Sequence, residues 1–286
     1  MSEPPVNPQT PPRTRMRAWP GVLLLCLALL AAATGQGSEP AAAGPAPVQA
    51  QATAAQEPPA DMPLPTAPAA SSPGKLNVDI SFVDKKSDAY GRFKSWVDSA
   101  VAGSPGYAFS ATDAALMYRL SESKKYCDLA VKMVEQQVSE AESAIASGGR
   151  PAISGDSYLE VGPHIADLAL TLDSCAADIS PTQRQRWSAY AEQAVWNVWN
   201  HSAAQWGGRP HPWTGWSTDN PGNNYYYSFL EATMFWALAS GSDKWMKDLR
   251  ERRLPPLKAY FAKLPGGGSS EGTGYGAAHM RLFSIY

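Results

Sequence analysis

From Tyr90 onward the chain consists almost wholly of segments in which apolar residues recur every three or four positions. That period marks one face of an α-helix and is incompatible with alternating strand. The longest such segment, Lys124 to Ala146, carries Tyr126, Leu129, Ala130, Met133, Val134 and Val138 and stops at Gly148-Gly149. Tyr90 to Ala102 carries Phe93, Trp96, Val97 and Val101, and Ser110 to Leu120 carries Ala114, Leu116, Met117 and Leu120. Gly155-Asp156-Ser157 reads as the cap of a helix from Tyr158 to Ala176. Ser180-Pro181 reads as a cap and first-turn proline for a helix through Trp199. Asn224 to Ser240 is apolar on most faces and predicts a buried helix. Lys244 to Leu264 follows, interrupted at Pro255-Pro256, and Glu271 to Tyr286 begins one more helix that is cut short. Only Leu76 to Asp84 alternates in part, as a short strand or extended lead-in. Helical hairpins with short turns and no fixed-length repeat predict a mainly α chain, an incomplete (α/α) toroid of antiparallel helical hairpins.

The first residues carry a different signal. Arg13, Arg15 and Arg17 precede an apolar run from Val22 to Ala33, followed by small residues. This is the pattern of a secretory signal peptide over residues 1–35, too short for a comfortable membrane span. Residues 36–74 are rich in Ala, Pro, Gly, Ser and Gln, too poor in apolar bulk to offset ordering entropy, and predict a disordered linker. The globular part is then 75–286, in a secreted or periplasmic protein with no stable membrane insertion once the signal is removed. A net charge of −2 with no basic run argues against nucleic acid as a partner. Cys127 and Cys175 are expected as two buried free thiols rather than a bridge, because a fold of this size needs no disulfide framework. No Cys/His spacing resembles a metal site, and no cofactor fingerprint is present.

Two loop-to-helix junctions hold the residues suited to chemistry. The first is Asn220-Pro221-Gly222-Asn223-Asn224-Tyr225-Tyr226-Tyr227. One Asn at a helix start is accounted for by capping, and a second is not. Amide donors beside the free N–H groups of a helix N-terminus suit an anionic oxygen such as a sugar carboxylate. The second junction is Gly266-Gly267-Gly268-Ser269-Ser270-Glu271-Gly272-Thr273-Gly274-Tyr275-Gly276, where glycines let the backbone approach closely and Tyr275 emerges in the first helical turn. A phenol there becomes a proton shuttle if its surroundings adjust its pKa. His279, four residues after Tyr275, shares its helical face, and His211 lies in the irregular Trp-rich loop before the first junction. Six tryptophans fall between Trp187 and Trp216. Trp196 and Trp199 are spaced as core, whereas Trp206, Trp213 and Trp216 sit on the loop, where an aromatic face can cover a sugar ring. Asp219, Glu231 and Glu271 offer carboxylates for glycoside hydrolysis at separations that sequence does not fix.

These segments resemble a known family. Asn223-Asn224-Tyr225-Tyr226-Tyr227 before an apolar helix is similar to the Asn-Asn-(His or Trp) segment of α/α-toroid polysaccharide lyases. Gly268 to Gly276 is similar to the Gly-rich Glu-Gly-x-x-Tyr segment of heparinase II/III-like and alginate lyases. The Leu168 to Arg186 stretch also resembles their helical hairpins. The resemblance implies β-elimination of a uronate-containing, acidic polysaccharide. It implies Asn224 or Asn223 on the uronate carboxylate and Tyr275 on protons, with His211 or His279 standing in for a family His that this chain replaces with Tyr225. Substrate contacts are expected from Tyr225, Tyr226, Trp213, Trp216 and Glu271. The alternatives are a glycoside hydrolase on an (α/α) barrel and a non-catalytic carbohydrate-binding remnant.

Overall fold

In a computed structural model, the described residues are Leu76, 80–264, Glu271, Gly272 and Tyr275. The expected signal peptide (1–35), the whole of the expected linker (36–74), most of the glycine-rich second junction and His279 lie outside them. The described residues are mainly helical, and their only strands are the two-residue pieces Gln205–Trp206 and Arg209–Pro210, paired antiparallel. Among them, no helix is long and apolar enough to cross a membrane.

Helices α1 (Asp88–Val101), α2 (Ala111–Ser121) and α3 (Lys124–Ala146) follow the apolar period closely. Ser87 caps α1, and Ser110 with Asp113 forms a capping box on α2. The extended lead-in yields turns rather than a strand over residues 80–86. Leu76 is nevertheless anchored: its N–H donates to Asp173 (3.0 Å), and Arg119, ion-paired to Asp173 at 2.6 Å, reaches its carbonyl.

Helix α4 starts later than the sequence predicts, at Val161, and runs to Ser174. Gly155-Asp156-Ser157 is therefore not its cap. Asp156, Ser157 and Tyr158 instead adopt φ of 38°, 51° and 63°, three consecutive non-glycine residues in the left-handed region. Each such residue costs on the order of 1–3 kcal/mol and persists only where its surroundings hold it. The holding group is Tyr158, which is buried, lies 5.1 Å from the Trp213 ring and accepts from the Trp206 indole N–H at 3.2 Å.

Ser180 and Gln183 form a capping box on α5 (Pro181–Trp199), and α6 (Asn224–Ser240) is buried along most of its length, as its composition predicts. A buried carboxylate joins these layers. Glu192 on α5 accepts from Trp236 on α6 (2.7 Å) and from Trp245 (2.8 Å) on α7 (Asp243–Asp248), with Lys244 at 3.1 Å. Paired this fully, the charge is tolerated inside. Pro255-Pro256 do not interrupt a helix. They lie in the first turn of α8 (Leu254–Ala262), where a missing N–H costs nothing, and the irregularity is a π-turn just before it at Leu249–Arg253.

Helices α4 and α6 cross closely at Gly162. Its N–H donates to Ser228 Oγ at 2.8 Å, and that hydroxyl donates to the Leu159 carbonyl. A Cβ on Gly162 would lie 2.8 Å from the Ser228 carbonyl oxygen and 2.7 Å from a Glu231 carboxylate oxygen. Gly162→Ala is expected to destabilise the protein by about 1–3 kcal/mol in urea unfolding, because a backbone atom must move.

The cysteines correct an expectation. Cys127 on α3 and Cys175 at the end of α4 form a disulfide, their Cα atoms 5.6 Å apart. The packing of α3 beside α4 brings together two positions whose 48-residue separation carries no such signal. Closing a loop of that length removes denatured-state entropy worth about 4 kcal/mol in the chain-entropy picture. Unfolding in urea with and without a reductant should differ by roughly 2–4 kcal/mol, and a Cys127→Ala/Cys175→Ala double variant should lose that difference.

Candidate functional site

The turn before α6 is built by asparagines. Asn220 accepts from the Gly222 N–H at 3.0 Å through its side chain and from the Asn223 N–H at 3.1 Å through its carbonyl. Asn223 then stands in extended conformation as the N-cap, its Oδ1 accepting from the Tyr225 N–H at 3.1 Å. Its Nδ2 donates across the gap to Glu271 Oε1 at 2.8 Å. The two junctions, 48 residues apart in the chain, therefore meet through one side chain. Asn224 is the first residue of the helix and half-buried, and its carboxamide has no hydrogen-bond partner among the described residues. Of the two asparagines, Asn223 is committed to structure and Asn224 is available.

The three tyrosines point in three directions. Tyr225 donates to Asp156 Oδ1 at 3.0 Å. Burial, then the hydrogen bond to Asp156 and coupling to Asp156, Tyr275 and Glu160, raises its pKa above the ordinary phenol value. At neutral pH Tyr225 is a protonated hydrogen-bonding group and not a base. Tyr226 is buried, donates to the Arg253 carbonyl at 2.7 Å, and is pushed up to about 12, chiefly by burial. It is a packing residue, so the substrate contact expected of it is withdrawn. Tyr227 is also buried and donates back to the Pro221 carbonyl at 3.0 Å, bracing the turn.

Tyr275 is 49 % exposed and follows Glu271 by four residues in the chain. It is near enough to Tyr225 to act on that phenol electrostatically. Asn224, Tyr225, Asp156, Glu271 and Tyr275 thus occupy one locality at the N-terminal end of α6.

Other expected residues lie elsewhere or are engaged. Trp206 is fully buried, and Trp213 is wedged between Tyr158, His201 and Phe229 with its N–H on the Asn197 carbonyl at 2.9 Å. Trp213 is thus a packing residue, and the loop tryptophan presented to solvent is Trp216, 57 % exposed. His211 is half-buried, its backbone N–H on the Ala204 carbonyl (2.7 Å), and nothing connects it to Asn224 or Tyr275. Glu231 is buried against Gly162 between α4 and α6, so it does not form an exposed carboxylate pair with Asp219 or Glu271. A separate cavity of about 440 Å³ between α3, α4 and α5, lined by Gln137, His164 and Tyr190 among others, holds none of the expected site residues. Among the described residues no His, Cys, Asp and Glu group is arranged to hold a metal ion.

Sequence reasoning missed Asp156, which it treated as a helix cap. One signal was available: Pro163 favours the first helical turn, which sets the start of α4 near Val161 and leaves Asp156 outside. No protein-family model matches this chain, and no curated protein or solved structure matches it either.

The division of labour between the asparagines is measurable. Asn223→Ala removes the cap and the tie to Glu271 and should cost about 1–2 kcal/mol in urea unfolding. Asn224→Ala should stay within roughly 0.5 kcal/mol of the parent, as expected for a side chain with no folding role.

Proposed function

We propose that the protein is a polysaccharide lyase that cleaves a uronate-containing polysaccharide by β-elimination, on a helical scaffold that is part of an (α/α) toroid. The observation that carries this reading is the Asn223–Glu271 hydrogen bond, which joins the amide-bearing junction to the one that carries Tyr275.

On this reading the Asn224 carboxamide, with the positive end of the α6 dipole behind it, binds the uronate carboxylate. Drawing charge onto that carboxylate acidifies the C5–H. The Tyr275 oxygen takes the C5 proton. The C5–H electron pair becomes the C4=C5 bond as the C4–O bond breaks, and the phenol so formed hands its proton to the departing oxygen. Atoms and charge balance without a metal or cofactor. Trp216 supplies an exposed aromatic face for a neighbouring sugar. The Cys127–Cys175 disulfide agrees with an oxidising destination, hence a periplasmic or secreted enzyme. The hydrolase alternative is less well supported, because one of its three carboxylates, Glu231, is buried between helices.

Purified full-length protein incubated with alginate, heparosan and hyaluronan should generate the absorbance of an unsaturated uronate. Tyr275→Phe and Asn224→Ala should each lower the rate by about 100-fold or more. Reducing ends released without that absorbance would point to hydrolysis, and folded protein that releases neither would contradict the enzyme reading.

A further inference from the structure

The side chain of Asp156 has one hydrogen-bond partner among the described residues, the Tyr225 hydroxyl at 3.0 Å. It caps no helix and pairs with no cation, and it is exposed. Yet the backbone that carries it runs through three consecutive left-handed residues. The force that keeps it there comes from Tyr158, buried against Trp213 and Trp206, and from the Leu159 carbonyl held by Ser228. None of these contacts involves the Asp156 side chain. The turn therefore delivers a carboxylate to the rim of the Asn224–Tyr275 locality without needing that carboxylate for its own stability.

The polarity of the pair limits what it can recognise. Tyr225 has a single hydroxyl proton, and it is spent on Asp156, so the phenolic oxygen faces a ligand as an acceptor. The Asp156 carboxylate accepts from Tyr225, and its Oδ2 has no protein donor among the described residues. Glu160, close enough to couple to Tyr225, adds a further negative charge. An acceptor-only edge of this kind is satisfied by hydroxyl donors, and neighbouring hydroxyls on a sugar ring fit a carboxylate oxygen beside a phenolic oxygen. A sulfate ester offers acceptors and negative charge alone, leaving this edge unsatisfied and repelled.

We propose that the Asp156–Tyr225 pair reads free ring hydroxyls on the sugar bound beside Asn224, and so restricts the site to unsulfated uronate glycans. The inference rests on the lyase reading for the carboxylate at Asn224, and it adds a specificity element of its own. Asn224 selects the carboxylate, and Asp156 with Tyr225 rejects substituted hydroxyls.

Binding of matched oligosaccharides to the full chain separates the two ideas. Heparosan and alginate oligosaccharides would be titrated calorimetrically in three forms: unmodified, O-sulfated and carboxyl-reduced. The parent reading is tested by the preference for unmodified over carboxyl-reduced forms and its loss in Asn224→Ala. The present inference is tested by the unmodified-to-sulfated ratio alone. That ratio should be at least about tenfold in the parent protein. It should fall to within about threefold in Asp156→Asn, which removes the charge and tolerates the left-handed backbone, and in Asp156→Gly, which removes the side chain. Tyr225→Phe should weaken the unmodified glycan and leave the sulfated one unchanged. Equal binding of sulfated and unmodified glycans by the parent protein, or a ratio untouched by both Asp156 variants, would overturn the proposal.

Discussion

The Ser228 hydroxyl is the contact on which the geometry of the site depends. It lies one turn into α6, accepts from the Gly162 N–H and donates to the Leu159 carbonyl. Through it the helix that begins with Asn223 and Asn224 is fixed to the segment that has just emerged from the left-handed turn. Only glycine at 162 permits this approach, since an added Cβ would meet the Ser228 backbone. The strained turn and the amide-bearing helix start are therefore held as one piece, and Asp156 meets Tyr225 as a consequence of that crossing.

Among the described residues, no lysine or arginine hydrogen-bonds to Asn223, Tyr225 or Asp156. The N-terminal end of the α6 dipole and the Asn224 carboxamide bring positive potential to this locality. Such donors bind one carboxylate well and are not suited to a dense array of negative charge. The Arg253 guanidinium is turned inward over Trp199 at 3.8 Å and ion-paired to Asp248 at 2.8 Å. It stabilises the junction of α6 with the π-turn and is not offered to a ligand.

Much of the scaffold was legible because its helices carry a clear apolar period and recognisable punctuation. Ser180-Pro181 and the Asn223 cap act as read, and Lys124 to Ala146 is helical from end to end. The failures share a cause: each depended on a partner distant in the chain. Gly155-Asp156-Ser157 has the composition of a cap, but burial of Tyr158 bends it into a left-handed turn. Trp206 and Trp213 look like exposed loop aromatics until Tyr158 and Phe229 cover them. Cys127 and Cys175 carry no local hint of each other, and the choice among Asn223, Tyr225 and Tyr226 required knowing which acceptor each side chain met. Local pattern gave the elements, and tertiary contacts assigned the roles.

We propose that the start of α6, Glu271 and Tyr275 together bind one uronate. Crystals of the full chain soaked with an unsaturated uronate oligosaccharide test it most directly. The account predicts the ring carboxylate within hydrogen-bond distance of the Asn224 carboxamide, with the Tyr275 hydroxyl facing C5. A sugar bound elsewhere, or one seated there with its carboxylate turned to solvent, would contradict it.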